Sequence, residues 1–192
     1  KVWEQYVGAN ASLVSSDNSY GIAVYQSYRN RNPYDADNDG FSELGKLNMN
    51  TFGLRAYYRP TQFSRLSLEY HTTNEFRRGG NKFDLQPHET DITEQTKHII
   101  NSGGLTYDMF FKEYKHKLSL YGSVQHTDRN SYYGAKQDAN AYGKTYDLTA
   151  VTGAMYVGNM DQCFFAPATF TGGIEYQHNK LHDVMTGYQR DL

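Results

Sequence analysis

Along Arg65-Leu66-Ser67-Leu68-Glu69-Tyr70-His71-Thr72 the chain alternates strictly, with Leu, Leu, Tyr and Thr at even positions and Arg, Ser, Glu and His at odd ones. Successive side chains of an extended chain point to opposite faces, so this segment predicts a strand with one apolar and one charged face. Lys117–Gln125 repeats the pattern, setting Leu118, Leu120 and Val124 against Lys117, Ser119, Ser123 and Gln125. Thr51–Arg59 does the same, with Arg55 and Arg59 on the wet side. Softer alternation places Ile22 and Val24 opposite Ala23, Tyr25 and Ser27, and Leu105, Tyr107 and Met109 opposite Thr106 and Asp108. Phe170, Ile174 and Tyr176 oppose Thr171, Glu175 and Gln177. Trp3–Val14 and Thr145–Val157 have β composition without a decided face.

Between these segments, short polar turns are predicted near Ser15–Asn18, Arg59–Ser64, Lys112–Lys115 and Asn159–Phe165. Long polar loops are predicted near Arg31–Leu47, Arg78–Thr96 and Asn130–Gly143, with a further long tail from Asn179. Glu89–Lys97 reads as loop with at most one helical turn. The expected fold is all-β: an antiparallel meander of about eight strands of roughly ten to fourteen residues each. The mean soluble strand is only about 5–6 residues, whereas about 9–11 cross a hydrocarbon core. Short turns at one end and long loops at the other are the organisation of an outer-membrane barrel wall.

Composition agrees. The 192 residues include 18 Tyr, 10 Phe and 17 Gly, which suits strands with one apolar and one wet face. Mean hydropathy is -0.78, and little Leu, Ile and Val remains to fill a soluble core. No run of eighteen apolar residues is present, so a helical span is excluded while a barrel is not. Aromatics near strand ends, among them Tyr28, Tyr58, Tyr70, Phe111 and Tyr176, fit interfacial girdles. The formal charge of -2 comes from interspersed residues, which argues against a nucleic-acid partner. The lone Cys163 rules out an internal disulfide framework.

The first long loop carries Asp35-Ala36-Asp37-Asn38-Asp39-Gly40-Phe41-Ser42-Glu43. Alternate carboxylates before a Gly match the start of a calcium loop, where Asp35, Asp37, Asp39 and Glu43 would converge on a hard cation. Lys46 stands where the closing Glu of an EF-hand would be, so the alternative is a solvated acidic turn. In the second loop, Arg77 and Arg78 beside Gly79-Gly80 are candidates for clamping an anionic ligand. Tyr132 and Tyr133, next to the third loop, are candidate ligand contacts. His178 and His182 have helical, not strand, spacing, and a metal role for them is not expected. No nucleophile elbow, zinc-protease helix or dinucleotide glycine pattern occurs, so no catalytic residue is expected and the chain does not read as an enzyme.

Asn32-Pro33-Tyr34-Asp35 through Gly40, Leu54–Pro60, Thr73–Asn81 and Asp128–Gly134 resemble the barrel of TonB-dependent outer-membrane receptors, nearest the siderophore, haem and cobalamin group. The resemblance implies an arc of a twenty-two-stranded barrel in the outer membrane of a Gram-negative bacterium. It implies active uptake of a ferric siderophore, cobalamin or similar scarce nutrient, and partners in membrane lipid, an internal plug domain and, through the plug, TonB. Arg55, Arg59, Arg65 and Glu69 would then face the lumen, holding plug or ordered water. No cofactor is required on this reading beyond the candidate calcium ion. The pattern of leader, plug and closing aromatic strand is not seen between Lys1 and Leu192, so residues 1–192 are expected to be a partial barrel domain. Two rivals stand beside it: a complete eight-stranded barrel serving as adhesin or structural protein, and a soluble all-β carbohydrate-binding module. Whether the first and last strands pair with each other separates the first rival from an arc.

Overall fold

The computed structural model describes residues 2–185 and 188–191. Eight long strands follow one another as a meander: β1 (Glu4–Val14), β2 (Tyr20–Arg31), β3 (Lys46–Thr61), β4 (Ser64–Gly80), β5 (Ile92–Phe111), β6 (His116–Ala135), β7 (Tyr142–Cys163) and β8 (Ala166–Met185). A four-residue β9 (Tyr188–Asp191) pairs back on the end of β8. Every neighbouring pair is antiparallel, and sequence order is spatial order across the sheet. The only helical turn among the described residues is a 3₁₀ turn, Pro87–Glu89. Among those residues β1 pairs only with β2, so the sheet stays open and does not close on its far edge.

The register settles both undecided segments. The row Ala11↔Val24↔Leu54↔Tyr70↔Gly103↔Val124↔Ala150 lies on one face, and Ala23↔Arg55↔Glu69↔Gly104↔Ser123↔Val151↔Gln177 on the other. Ala9, Ala11 and Leu13 of β1 therefore join the apolar face, as do Ala150, Ala154 and Tyr156 of β7. The upper edge of the stripe is uneven: Tyr28, Ile99 and Tyr146 share one row across β2 to β7, whereas on β8 the upper aromatic, Tyr176, stands six residues short of His182 in that row.

Three expectations are corrected. The long strands exceed the expected length, with β5, β6 and β8 at 20 residues and β7 at 22. The supposed tail from Asn179 is strand, since β8 runs on to Met185. The third loop narrows to residues 136–141, and the second begins only after Gly80 and ends at Ile92. The cause is common to all three. Beyond the stripe polar residues are common on both faces, so strict alternation fades from the sequence while the hydrogen-bond ladder continues.

Packing is that of a single layer. Among the described residues the buried apolar side chains are Leu47, Pro87, Tyr132 and Ala141, all at the long-loop end. Tyrosines laid over glycines bind the strands laterally instead. Tyr25 on β2 lies across Gly53 on β3, and its hydroxyl bonds to His71 Nδ1 on β4 at 2.7 Å. Tyr121 on β6 crosses Gly153 on β7 and donates to Glu175 on β8 at 2.8 Å.

Candidate functional site

The long loops and the strand ends below them gather into a cleft of about 490 Å³ on the sheet. Arg31, Phe41, Glu43, Lys46, Arg77 and Thr96 are among the residues that line it. The first loop, residues 32–45, is braced by a bridge between Tyr34 and Leu44. It is also stitched to β4: Ser42 N–H donates to Gly80 O at 3.0 Å, and Gly80 N–H to Ser42 Oγ at 3.2 Å. Arg31 Nε donates to Gly45 O at 3.0 Å, fixing the far end of that loop.

Within the first loop, Asp35 accepts from the backbone of Asn38 at 2.6 Å and of Gly40 at 2.8 Å, one on each oxygen. Asp39 accepts from Phe41 N–H at 2.8 Å, and Glu43 from Ala36 N–H at 2.6 Å. Asn38 and Gly40 take left-handed φ of 61° and 91°, which lets the chain double back and face the carboxylates inward. Asp35, Asp37, Asp39 and Glu43 each bring one oxygen within 4.8 Å of the others. Oxygens on opposite sides of a calcium ion, each at roughly 2.4 Å, stand about that far apart. No cationic side chain pairs with these four among the described residues.

Arg77 and Arg78, adjacent in sequence, part company in space. Arg77 lies on the polar face with 63% of its side chain exposed, steadied by Glu75 at 2.8 Å. Arg78 is buried on the opposite face, donating to Leu85 O at 2.9 Å and Lys82 O at 3.3 Å, its guanidinium 5.6 Å from the Phe83 ring centre. It is the clasp that folds the second loop over the sheet. Tyr132 is similarly committed: it is 1% exposed, donates to Asp138 O at 2.9 Å, and packs edge-on to Tyr142. Tyr133 stays exposed, on the polar-face parity shared with Arg77. Of the four candidate ligand contacts, Arg77 and Arg78 both line the cleft, Arg78 while its guanidinium holds the second loop, whereas Tyr133 is exposed outside it and Tyr132 holds the third loop.

A second loop clasp is electrostatic. Asp91 accepts from Lys82 Nζ at 2.9 Å and Asn81 Nδ2 at 2.7 Å. Those two bonds, the lysine's first, hold the Asp91 carboxyl below its ordinary range.

Arg55, Arg59, Arg65 and Glu69 cluster on the polar face near the short turns. Arg55 and Glu69 pair at 3.5 Å, while the Arg59 and Arg65 guanidiniums stand 5.6 and 4.7 Å from the Tyr57 ring centre. Higher on the same face a polar row crosses five strands as Glu75↔His98↔Arg129↔Thr145↔Asp183. Arg129 Nη2 donates to Thr145 Oγ1 at 2.8 Å, and Thr145 Oγ1 to Asp183 at 2.5 Å. Sequence reasoning missed this row, and it missed Arg31, Lys46 and Thr96 in the cleft. Only the register brings them together, and nothing in their local spacing signals it.

Comparison of the chain with protein-family models, with curated proteins and with solved structures finds no match.

Proposed function

We propose that the chain is an arc of wall from a large outer-membrane β-barrel, of the twenty-two-stranded kind, that serves as a TonB-energised receptor for a scarce nutrient such as a ferric siderophore or cobalamin. The observation that carries the reading is the apolar stripe. It lies on one face of the sheet, and on β2, β6 and β8 it ends short of the long loops. A sheet one layer thick leaves that stripe uncovered, and lipid is the apolar medium that a barrel wall presents to such a face. The opposite face, with its ion pairs and crossing polar row, is then lumen wall, suited to a hydrated plug. The cleft beside the long loops lies at the outer mouth, where Arg77, Arg31 and Lys46 offer donors to an anionic chelate. The chain supplies wall and contacts on this reading, with no catalysis.

The test is growth. Deletion of the encoding gene in its host abolishes growth when one defined ferric chelate or cobalamin is the sole source, and the intact gene restores it. Unchanged growth on every such source overturns the uptake reading.

Calcium belongs to the same proposal, held by Asp35, Asp37, Asp39 and Glu43 so that the first loop keeps its shape at the mouth. Calorimetric titration of the full-length protein gives heat with calcium that Asp35→Asn combined with Asp37→Asn removes. No heat at millimolar calcium discards the site.

A further inference from the structure

At the short-turn end of the polar face a second cavity, of about 270 Å³, opens across β1 to β4. Arg55, Tyr57, Arg65 and Glu69 are among the residues that line it. Arg65 and Arg77 share a face of β4 twelve residues apart, so about 40 Å separates this cavity from the loop cleft.

The cavity is built around one ring. Tyr57 lies over Gly21 of β2, where a Cβ would stand 2.4 Å from it. The Arg65 guanidinium stands 4.7 Å from the ring centre and that of Arg59 5.6 Å. Neither arginine has an ion pair among the described residues. Asp108, across the ladder from Arg65, is engaged by Lys117 at 2.9 Å and by the Ser119 hydroxyl at 2.6 Å. Asp17, in the turn beside β2, accepts from Ser19 N–H at 3.0 Å and from its hydroxyl at 2.8 Å. Arg65 Nε is buried without an acceptor. Arg55 meets Glu69 through Nε, at 3.5 Å.

This arrangement is costly as it stands. Arg59 and Arg65 follow the paired Tyr58 and Leu66 toward the turn, so two cations sit side by side on adjoining strands. Like charges so placed repel, and a buried donor without an acceptor adds its own penalty. An anion relieves both. The spacing narrows which anion. Arg55 pairs across the ladder with Glu69, four residues along β4 from Arg65, so the two side chains start about 13 Å apart and line one cavity. A single tetrahedral anion fills one guanidinium fork. Two planar forks at this separation match two carboxylates on a short scaffold.

We propose that Arg55 and Arg65, with Arg59 beside them, bind a small di- or tricarboxylate at the short-turn end of the polar face. The site stands on its own geometry and does not depend on the membrane-wall reading above.

The test is calorimetric titration of the full-length protein with tricarballylate, a tricarboxylate, in calcium-free buffer. Wild type gives saturable heat, and the ligand raises its melting temperature. Arg55→Gln combined with Arg65→Gln weakens binding at least tenfold, and melting of that variant no longer responds to the ligand. Arg65→Gln alone takes its place where the double variant does not fold. Acetate binds wild type at least tenfold more weakly than tricarballylate. Absence of heat at millimolar tricarballylate overturns the proposal, as does equal binding by the folded variants. So does displacement by an equal concentration of phosphate, which would make the cavity a general anion site. Loss of the heat with Arg31→Gln and Lys46→Gln instead would move the ligand to the loop cleft and overturn it too. Growth on defined chelates tests the uptake reading and bears on none of these outcomes.

Discussion

Single residues here act chiefly through glycine and tyrosine. Gly53 is small because Tyr25 lies on it: a Cβ there would stand 2.2 Å from the ring. Gly53→Val is therefore expected to swing Tyr25 off its bond to His71 and cost about 1–3 kcal/mol. Denaturant unfolding of the full-length protein reads this, and a change below about 0.5 kcal/mol would show that the ring spans nothing of consequence. Gly80 is fixed for a different reason. Its φ is +110°, and a Cβ would meet Ile92 O at 2.1 Å. Gly80→Ala should cost about 1–3 kcal/mol in the same assay through backbone strain. The abundance of Tyr and Gly was plain in the sequence. Which tyrosine covers which glycine was not, because that pairing crosses strands. The split of Arg77 from Arg78 was legible in principle, since neighbours on a strand face apart. What buries Arg78 is the fold-back of residues 82–85, which no local pattern announces.

Elements were read best where water and apolar surroundings differ on their two faces. The alternation of Arg65–Thr72 gave β4 its orientation, and the registers of its neighbours agree. It failed where both faces are wet, so the upper ends of β5 to β8 passed for loop and tail. The second loop offers a pH test at this scale. Asp91 has a lowered pKa in the folded protein, so its contribution is complete above the ordinary carboxylate range. It disappears as pH falls through the depressed value. Hydrogen-exchange protection across residues 81–91, taken relative to the intrinsic rate at each pH, should therefore fall on acidification below about pH 4, while Asp91→Asn shows low protection at every pH. Protection that stays flat in the wild type removes Asp91 from any part in closing the loop. At the opposite end, Asp17 is held at about 2, first by the Ser15 hydroxyl and then by Ser19, so the β1–β2 turn should keep its shape under the same acid.

Among the described residues the sheet is one layer thick and buries little apolar surface. Ile174 is 77% exposed and Phe170 55%, and such a sheet cannot cover them itself. On the membrane-wall reading proposed above, lipid covers that face. Leu68, mid-stripe on β4, and Ser67, its neighbour on the other face, make the paired test. Leu68→Arg should cost about 2–4 kcal/mol and lower the yield of membrane-inserted protein, whereas Ser67→Arg inserts normally. Equal insertion of the two variants would mean that the stripe does not meet lipid.

On β6 the strand continues eleven residues past Val124, to Ala135, before its loop begins. At about 3.3 Å per residue that is up to about 36 Å of ladder beyond the apolar row. On the membrane-wall reading proposed above, such a height would make a chimney, carrying the cleft through the sugar coat of the cell so that an arriving solute met the opening before the carbohydrate. The same rim would then be the part of the protein first offered to antibodies and phage tails.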